Sequence, residues 1–169
     1  MASKAANELK AKWEATSGRI QRQLQGMDAY MERADAPGEW TTREVLCHLL
    51  GEPGVDPVKG LQTFAERDLP TIDLSPGKTV VTEDRRKMTL KQFEEALEQR
   101  GRRLFEYLDG LSEADLTRRK ARIPILKAFA GTDEIPMQMF LNALIDGHLN
   151  DHMGQLAKIR KAVGLPEAN

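Results

Sequence analysis

Residues 136–163 read PMQMFLNALIDGHLNDHMGQLAKIRKAV, and the run closes at Gly164 with Pro166 just beyond. No breaker interrupts it, and glycine followed by proline is a conventional helix stop, so the stretch predicts one long final helix. At about 100° per residue, with His148 as origin, Met137, Leu141, Leu144, Ile145 and Ile159 fall within about 60° of it, and so do His152 and Gln155. Asp146 and Asn150 lie on the opposite side. The two histidines and the glutamine therefore belong to the apolar stripe, and the helix carries polar groups into a core.

A buried polar group without a partner costs about 1–3 kcal/mol, so inward-facing imidazoles need something to bind. Two histidines four residues apart on a helix can converge on one metal ion. The pattern here is H-x-x-x-H without the glutamate of H-E-x-x-H, which leaves a zincin peptidase unsupported. The chain has three histidines in all. The third, His48, follows Val45 by three residues on a second predicted helix, on the side that Val45 and Leu49 make apolar. Three neutral imidazoles from two helices leave a divalent ion's shell incomplete, and an open position distinguishes a catalytic site from a closed structural one. The plain alternative is three core histidines, each hydrogen-bonded to a neighbour.

Working outward, residues 4–33 carry Leu9, Trp13, Ile20, Leu24, Met27 and Met31 at helical spacing, until Pro37 and Gly38 break the pattern. Thr41 and Glu44 form a capping box that opens the helix TTREVLCHLL, with Trp40 placed to pack as a staple before it. Gly51, Pro53 and Gly54 interrupt that helix, and Asp56 with Pro57 restarts it through Val58, Leu61 and Phe64. Residues 68–88 read as a long loop with a short extended piece at Thr79 to Val81. Thr89 and Gln92 cap a third helix striped by Phe93, Leu97, Leu104, Leu108 and Leu111, and a helical turn follows at SEADL. ARIPILKAFAGTDE reads as irregular. Four helical segments without convincing strand pairs predict an all-α, antiparallel four-helix bundle as one domain over 1–169, with long loops between helices two and three and between three and four. Loops of that length are often functional, here as a lid at one end of the bundle.

Composition excludes several classes. The 169 residues carry 25 basic and 26 acidic side chains for a net charge of -1, which offers no field for nucleic acid or an anionic membrane. One cysteine, Cys47, rules out an internal disulfide framework and a multi-cysteine zinc site, and suits a reducing compartment. The charged start, MASKAANELKAKWEA, does not read as a signal peptide, and no apolar run approaches the roughly 20 residues of a membrane span. The expectation is a soluble, cytoplasmic protein acting on a small molecule.

Two local motifs resemble a known family. WTTREVLCHLL, residues 40–50, is similar to the second helix of the DinB/YfiT-like superfamily, and HLNDHMGQLAKIRKAVG, residues 148–164, to its last helix. The helix layout agrees over nearly the whole chain. The resemblance implies an up-down four-helix bundle, commonly a homodimer, holding a divalent metal, often zinc or nickel, on His48, His148 and His152. It also implies activities, among them thiol S-transfer with a low-molecular-weight thiol cosubstrate and metal-dependent hydrolysis, and as an alternative a non-catalytic metal- or ligand-binding, stress-associated bundle. A fold does not carry a substrate across. The chain departs from the pattern where Gly51, Pro53 and Gly54 end the second helix soon after His48.

That break bears on the remaining candidates. Glu52 would face the site as a general base only if the helix ran on, and otherwise is a hinge or surface residue. Gln155 is placed to steady an imidazole or a ligand, or to bond another helix within the core. Asp151 reads as a surface carboxylate with a possible role as acceptor, and Cys47 as a small core hydrophobe. Gly147 and Gly154 share a stripe suited to close packing. The basic run Arg118, Arg119, Lys120 and Arg122 reads as a solvated loop or a site for an anionic cosubstrate. SPGKT, residues 75–79, lacks the earlier glycine and the strand-to-helix setting of a phosphate loop.

Overall fold

The structure, a computed structural model, describes residues 2–66, 69–74 and 77–168. Helix α1 spans Lys4–Leu24 behind a Ser3 cap. It stops earlier than its apolar spacing predicts, because Gly26 turns the chain at φ 74. Met27 and Met31 still enter the core from a following 3-10 turn, Asp28–Tyr30. Helix α2, Thr42–Leu50, opens on the expected capping box, with Thr41 N–H donating to Glu44 at 2.8 Å and Glu44 N–H to the Thr41 hydroxyl at 3.2 Å. It ends at Gly51, whose φ of 69 no β-branched or bulky residue adopts readily. Asp56 accepts from the Val58 N–H, and a short α3, Lys59–Gln62, continues as a 3-10 turn to Ala65.

The connection to the third long helix holds more order than its sequence suggests. Helix α4, Glu83–Lys87, forms behind a Thr82 cap. Thr79 to Val81 form no strand, and the extended contact is made instead by Thr71, which bridges to Arg122. The first two residues of SPGKT lie outside the described residues. Helix α5, Leu90–Asp109, carries the Thr89/Gln92 box, and α6, Glu113–Arg118, a third box from Ser112 and Asp115. The stretch expected to be irregular then makes a hairpin. Strand β1, Lys120–Arg122, pairs antiparallel with β2, Glu134–Pro136, and a short helix α7, Lys127–Ala130, lies between them. Three-residue strands are too short to announce themselves by alternation. Arg122 also bonds Pro70 and Ile72 through its backbone, each at 2.8 Å, so the two long connections are tied together.

The last helix is continuous but not uniform. Met137–Asn142 is α8, Ala143–Leu149 is π-helical, and α9 runs Asn150–Ala162. Met137, Leu141, Ile145 and Leu149 are all buried. Residues spaced by four drift about 40° per step round a regular α-helix, and the wider π turns keep these four on one face. Gly164, at φ 80, closes the helix as expected.

The four-helix bundle is present, and its helix directions refine simple alternation. α1 packs between α5 and α9, and α2 between the same two on the far side. α1 and α9 run the same way: Lys12 reaches Asn142 and Asp146, Arg19 reaches Asn150, and Arg160 reaches the Gln23 carbonyl. α5 runs against α1, since Trp13 packs on Gly101 and Phe105 while Ala5 bonds Glu113. α2 runs with α5, Arg43 lying over Phe93 and Gly51 beside Arg100. Two parallel neighbours cannot be joined by a tight turn, so residues 51–89 must travel back along the bundle, which explains that long connection.

Candidate metal centre

The capping box at Thr41 and the stop at Gly51 fix α2 as a short rod, and His48 sits in its last turn. His148 lies in the π segment and His152 in the first turn of α9. α2 runs against α9, which brings the three imidazoles together from the two ends of the sequence: one ligand atom from each lies within 4.8 Å of the others. Ring centroids are 5.0 Å apart for His48 and His148, 4.7 Å for His48 and His152, and 4.6 Å for His148 and His152. All three side chains are half-buried.

Their outer nitrogens decide which atoms face inward. His48 Nδ1 donates to the Lys78 carbonyl at 2.6 Å, and His152 Nδ1 donates to Gln155 Oε1 at 3.1 Å. Each bond places the ring proton on Nδ1 and leaves Nε2 as a lone pair. His48 Nε2 and His148 Nε2 are 2.8 Å apart, so without an ion between them His148 is the donor. Its Nδ1 is then a buried acceptor without a partner, one of two such side-chain atoms among the described residues. Burial, reinforced by the neighbouring imidazoles, holds His148 down to about 4, with Asp151 opposing. Burial also lowers His152, against the upward pull of its Gln155 bond. Neutral imidazoles are the form that binds a metal, so this donor set fits one.

Trp40 packs against the cluster. Its ring stacks on His152, centroids 5.8 Å apart and planes 5° apart, and lies 5.1 Å from His48. The sequence reading placed Trp40 as a staple before the helix and missed this contact; its position one residue before the cap of the His48 helix was the available signal. Beside His48 opens a cavity of about 320 Å³, walled by Gly51, Glu52, Asp73, Leu74, Lys78 and Val80. The connection between α2 and α5 thus supplies most of the wall. The hairpin between α6 and α8 contributes none of it, so only one of the two long loops borders this cavity.

The other sequence candidates fall into place around it. Glu52 is exposed at the cavity's edge, past the end of α2. Gln155 accepts from His152, one of the two placements its sequence position left open. Cys47 is fully buried and desolvation raises its thiol pKa, consistent with a core role. Asp151 is exposed. Within the chain Gly147 and Gly154 make no close helix approach, since nothing lies within 4 Å of a side chain added at either; the close approach in the bundle occurs at Gly101, under Trp13. Arg119 pairs with Asp115 of α6, while Lys120 and Arg122 pair across the hairpin with Glu134 and Asp133, so three of the four basic residues are engaged within the chain. A larger groove of about 530 Å³ between α1 and α5 is floored by Ile20, Leu24, Leu49 and Leu149 and has no histidine on its wall.

No protein-family profile matches the sequence, and no curated protein matches it. Among solved structures, YfiT from Bacillus subtilis, described as a probable metal-dependent hydrolase with an unusual four-helix bundle topology, aligns over 95% of this chain and 89% of that one. The TM-score is 0.71 at 16% sequence identity, a likeness that shows the fold. The chain has a four-helix bundle with the fold of YfiT. None of the described helices is long and apolar enough to cross a membrane.

Proposed function

We propose that His48, His148 and His152 hold a divalent transition metal, zinc or nickel, and that the protein is a metal-dependent enzyme acting on a small molecule in the adjoining cavity. The carrying observation is the convergence of three imidazole nitrogens within 4.8 Å, with one of the three rings, His48, on the wall of an open cavity. Two of the three already have Nδ1 engaged by an acceptor, the outer contact that orients a ligand histidine. Three protein ligands leave a position for water or substrate, which favours catalysis over a sealed structural ion. Bound there, the ion would lower the pKa of a water or thiol and polarise an electrophile.

Hydrolysis is the reaction type favoured here, because the similar bundle of YfiT is described as a probable metal-dependent hydrolase and carboxylates border the cavity. Glu52 and Asp73 are the groups at hand to accept a proton at its mouth. Thiol S-transfer would use the same open position, with the thiol of a small cosubstrate in place of water. A homodimer in the cytoplasm rests on the sequence resemblance and on the single, buried cysteine.

Metal analysis of untagged protein purified without chelator tests the centre. About one equivalent of zinc or nickel is expected, and it should fall below about a tenth in His48→Ala. Substoichiometric metal that is unchanged by that substitution would overturn the proposal. A loaded protein is then assayed against ester, amide and phosphoester panels, with and without added thiols; turnover that needs the thiol would replace hydrolysis by transfer.

A further inference from the structure

Arg85 is 8% exposed and has no carboxylate partner among the described residues. Its Nη1 donates to the Cys47 carbonyl at 3.0 Å and to the Val80 carbonyl at 3.1 Å. The first of these lies in the last turn of α2, where carbonyls have no helical donor and the helix dipole favours a cation. Gly51 N–H turns aside to His48 O, which leaves Cys47 O for the arginine. The second lies in the segment beside His48. Val80 has φ 49, a left-handed conformation that a β-branched residue adopts only when its surroundings enforce it. Two residues earlier, the Lys78 carbonyl takes the His48 Nδ1 proton.

The clamp is reciprocal. Arg43, on α2, donates through Nη1 to the carbonyls of Arg85 and Met88, each at 2.8 Å, so α2 grips the end of α4 while α4 grips the end of α2. Lys78, Val80 and Arg85 form one strap, held to α2 at Arg43, at the Cys47 carbonyl and at His48 Nδ1. A buried guanidinium spent only on closing a helix would need no contact with Val80, and that second bond is what links it to the imidazole.

The geometry points to Arg85 as a positioning residue for the histidine cluster: by pinning the Cys47 and Val80 carbonyls it holds Lys78 O against His48 Nδ1, which keeps the His48 Nε2 lone pair facing His148 and His152. The consequence for metal affinity rests on the proposed metal centre; the consequence for the His48 ring does not.

The test therefore has two readouts. With three histidines in the chain, long-range proton–nitrogen NMR of metal-free protein at mildly alkaline pH resolves each ring's tautomer. Wild type should show His48 as the Nδ1–H form. Arg85→Ala should mix the two tautomers at His48, with His148, whose Nε2–H donates to His48 Nε2, responding in step and His152 unchanged, and zinc affinity, measured by competition with a chromogenic chelator, should weaken about tenfold to a hundredfold. Guanidinium added to Arg85→Ala should restore the Nδ1–H signal. Arg85→Lys keeps the charge and is read in the same way should the alanine variant fail to fold, with a partial shift expected. An unchanged His48 tautomer in a folded Arg85 variant overturns the inference. A changed tautomer in a protein that never binds zinc upholds Arg85 and removes the metal.

Discussion

At His148 the physics of burial has a measurable sign. Its folded pKa is about 4 against an ordinary 6.5, mainly because the ring is desolvated and secondarily because two imidazoles adjoin it. Between those values the unfolded chain binds a proton that the folded chain refuses, so stability rises with pH through the window and is lost as pH falls. Metal-free protein should therefore lose more Tm between about pH 7.5 and about pH 5 than His148→Gln does, read by calorimetry. Equal losses would mean that other groups set the slope. Trp40 reports on the same place by a different route. Its ring lies against His152 and His48, whereas Trp13 lies in the α1–α5 interface. Nickel added to chelator-treated protein should quench tryptophan emission in wild type and in Trp13→Phe; a quench that survives in Trp40→Phe would place the ion elsewhere.

Elements respond to their glycines in opposite directions. A Cβ at Gly101 would lie 2.7 Å from Trp13 Nε1 and 3.1 Å from two further ring atoms, so α5 can approach α1 only with glycine there. Gly101→Ala should cost about 1–3 kcal/mol in denaturant unfolding, the usual range for overpacking a core. Gly154→Ala meets nothing within 4 Å and should be neutral or add up to about 1 kcal/mol through helix propensity. A loss there would reveal a surface that covers α9 in solution. The π segment belongs to the same scale. It places His148 in a widened turn immediately before the regular α9 that carries His152, a position at which π-bulges recur near functional sites. Its signal was present as the strict four-residue spacing of Met137, Leu141, Ile145 and Leu149, which a fixed 100° wheel does not register.

For the whole molecule, an ion that binds only the folded chain stabilises it by mass action, about 2.7 kcal/mol at about a hundred times its Kd. In a chain of this size that is roughly 5–10 °C in Tm. Zinc should produce such a shift in wild type and none in His48→Ala, which removes the one ligand that α2 supplies to the cluster. The sequence by itself determined the four long helices, the capping boxes of α2 and α5 and the inward face of the histidines, because capping boxes, glycine stops and apolar periodicity are local and each was readable within a few residues. It also singled out His48, His148 and His152 through their place on those faces. Only the tertiary structure decided that α1 runs with α9 and α2 with α5, that residues 78–80 lie over His48, and that Arg85, Lys78 and Trp40 surround the cluster. These contacts join residues roughly 5 to 110 positions apart, and no spacing within one segment records what packs against it.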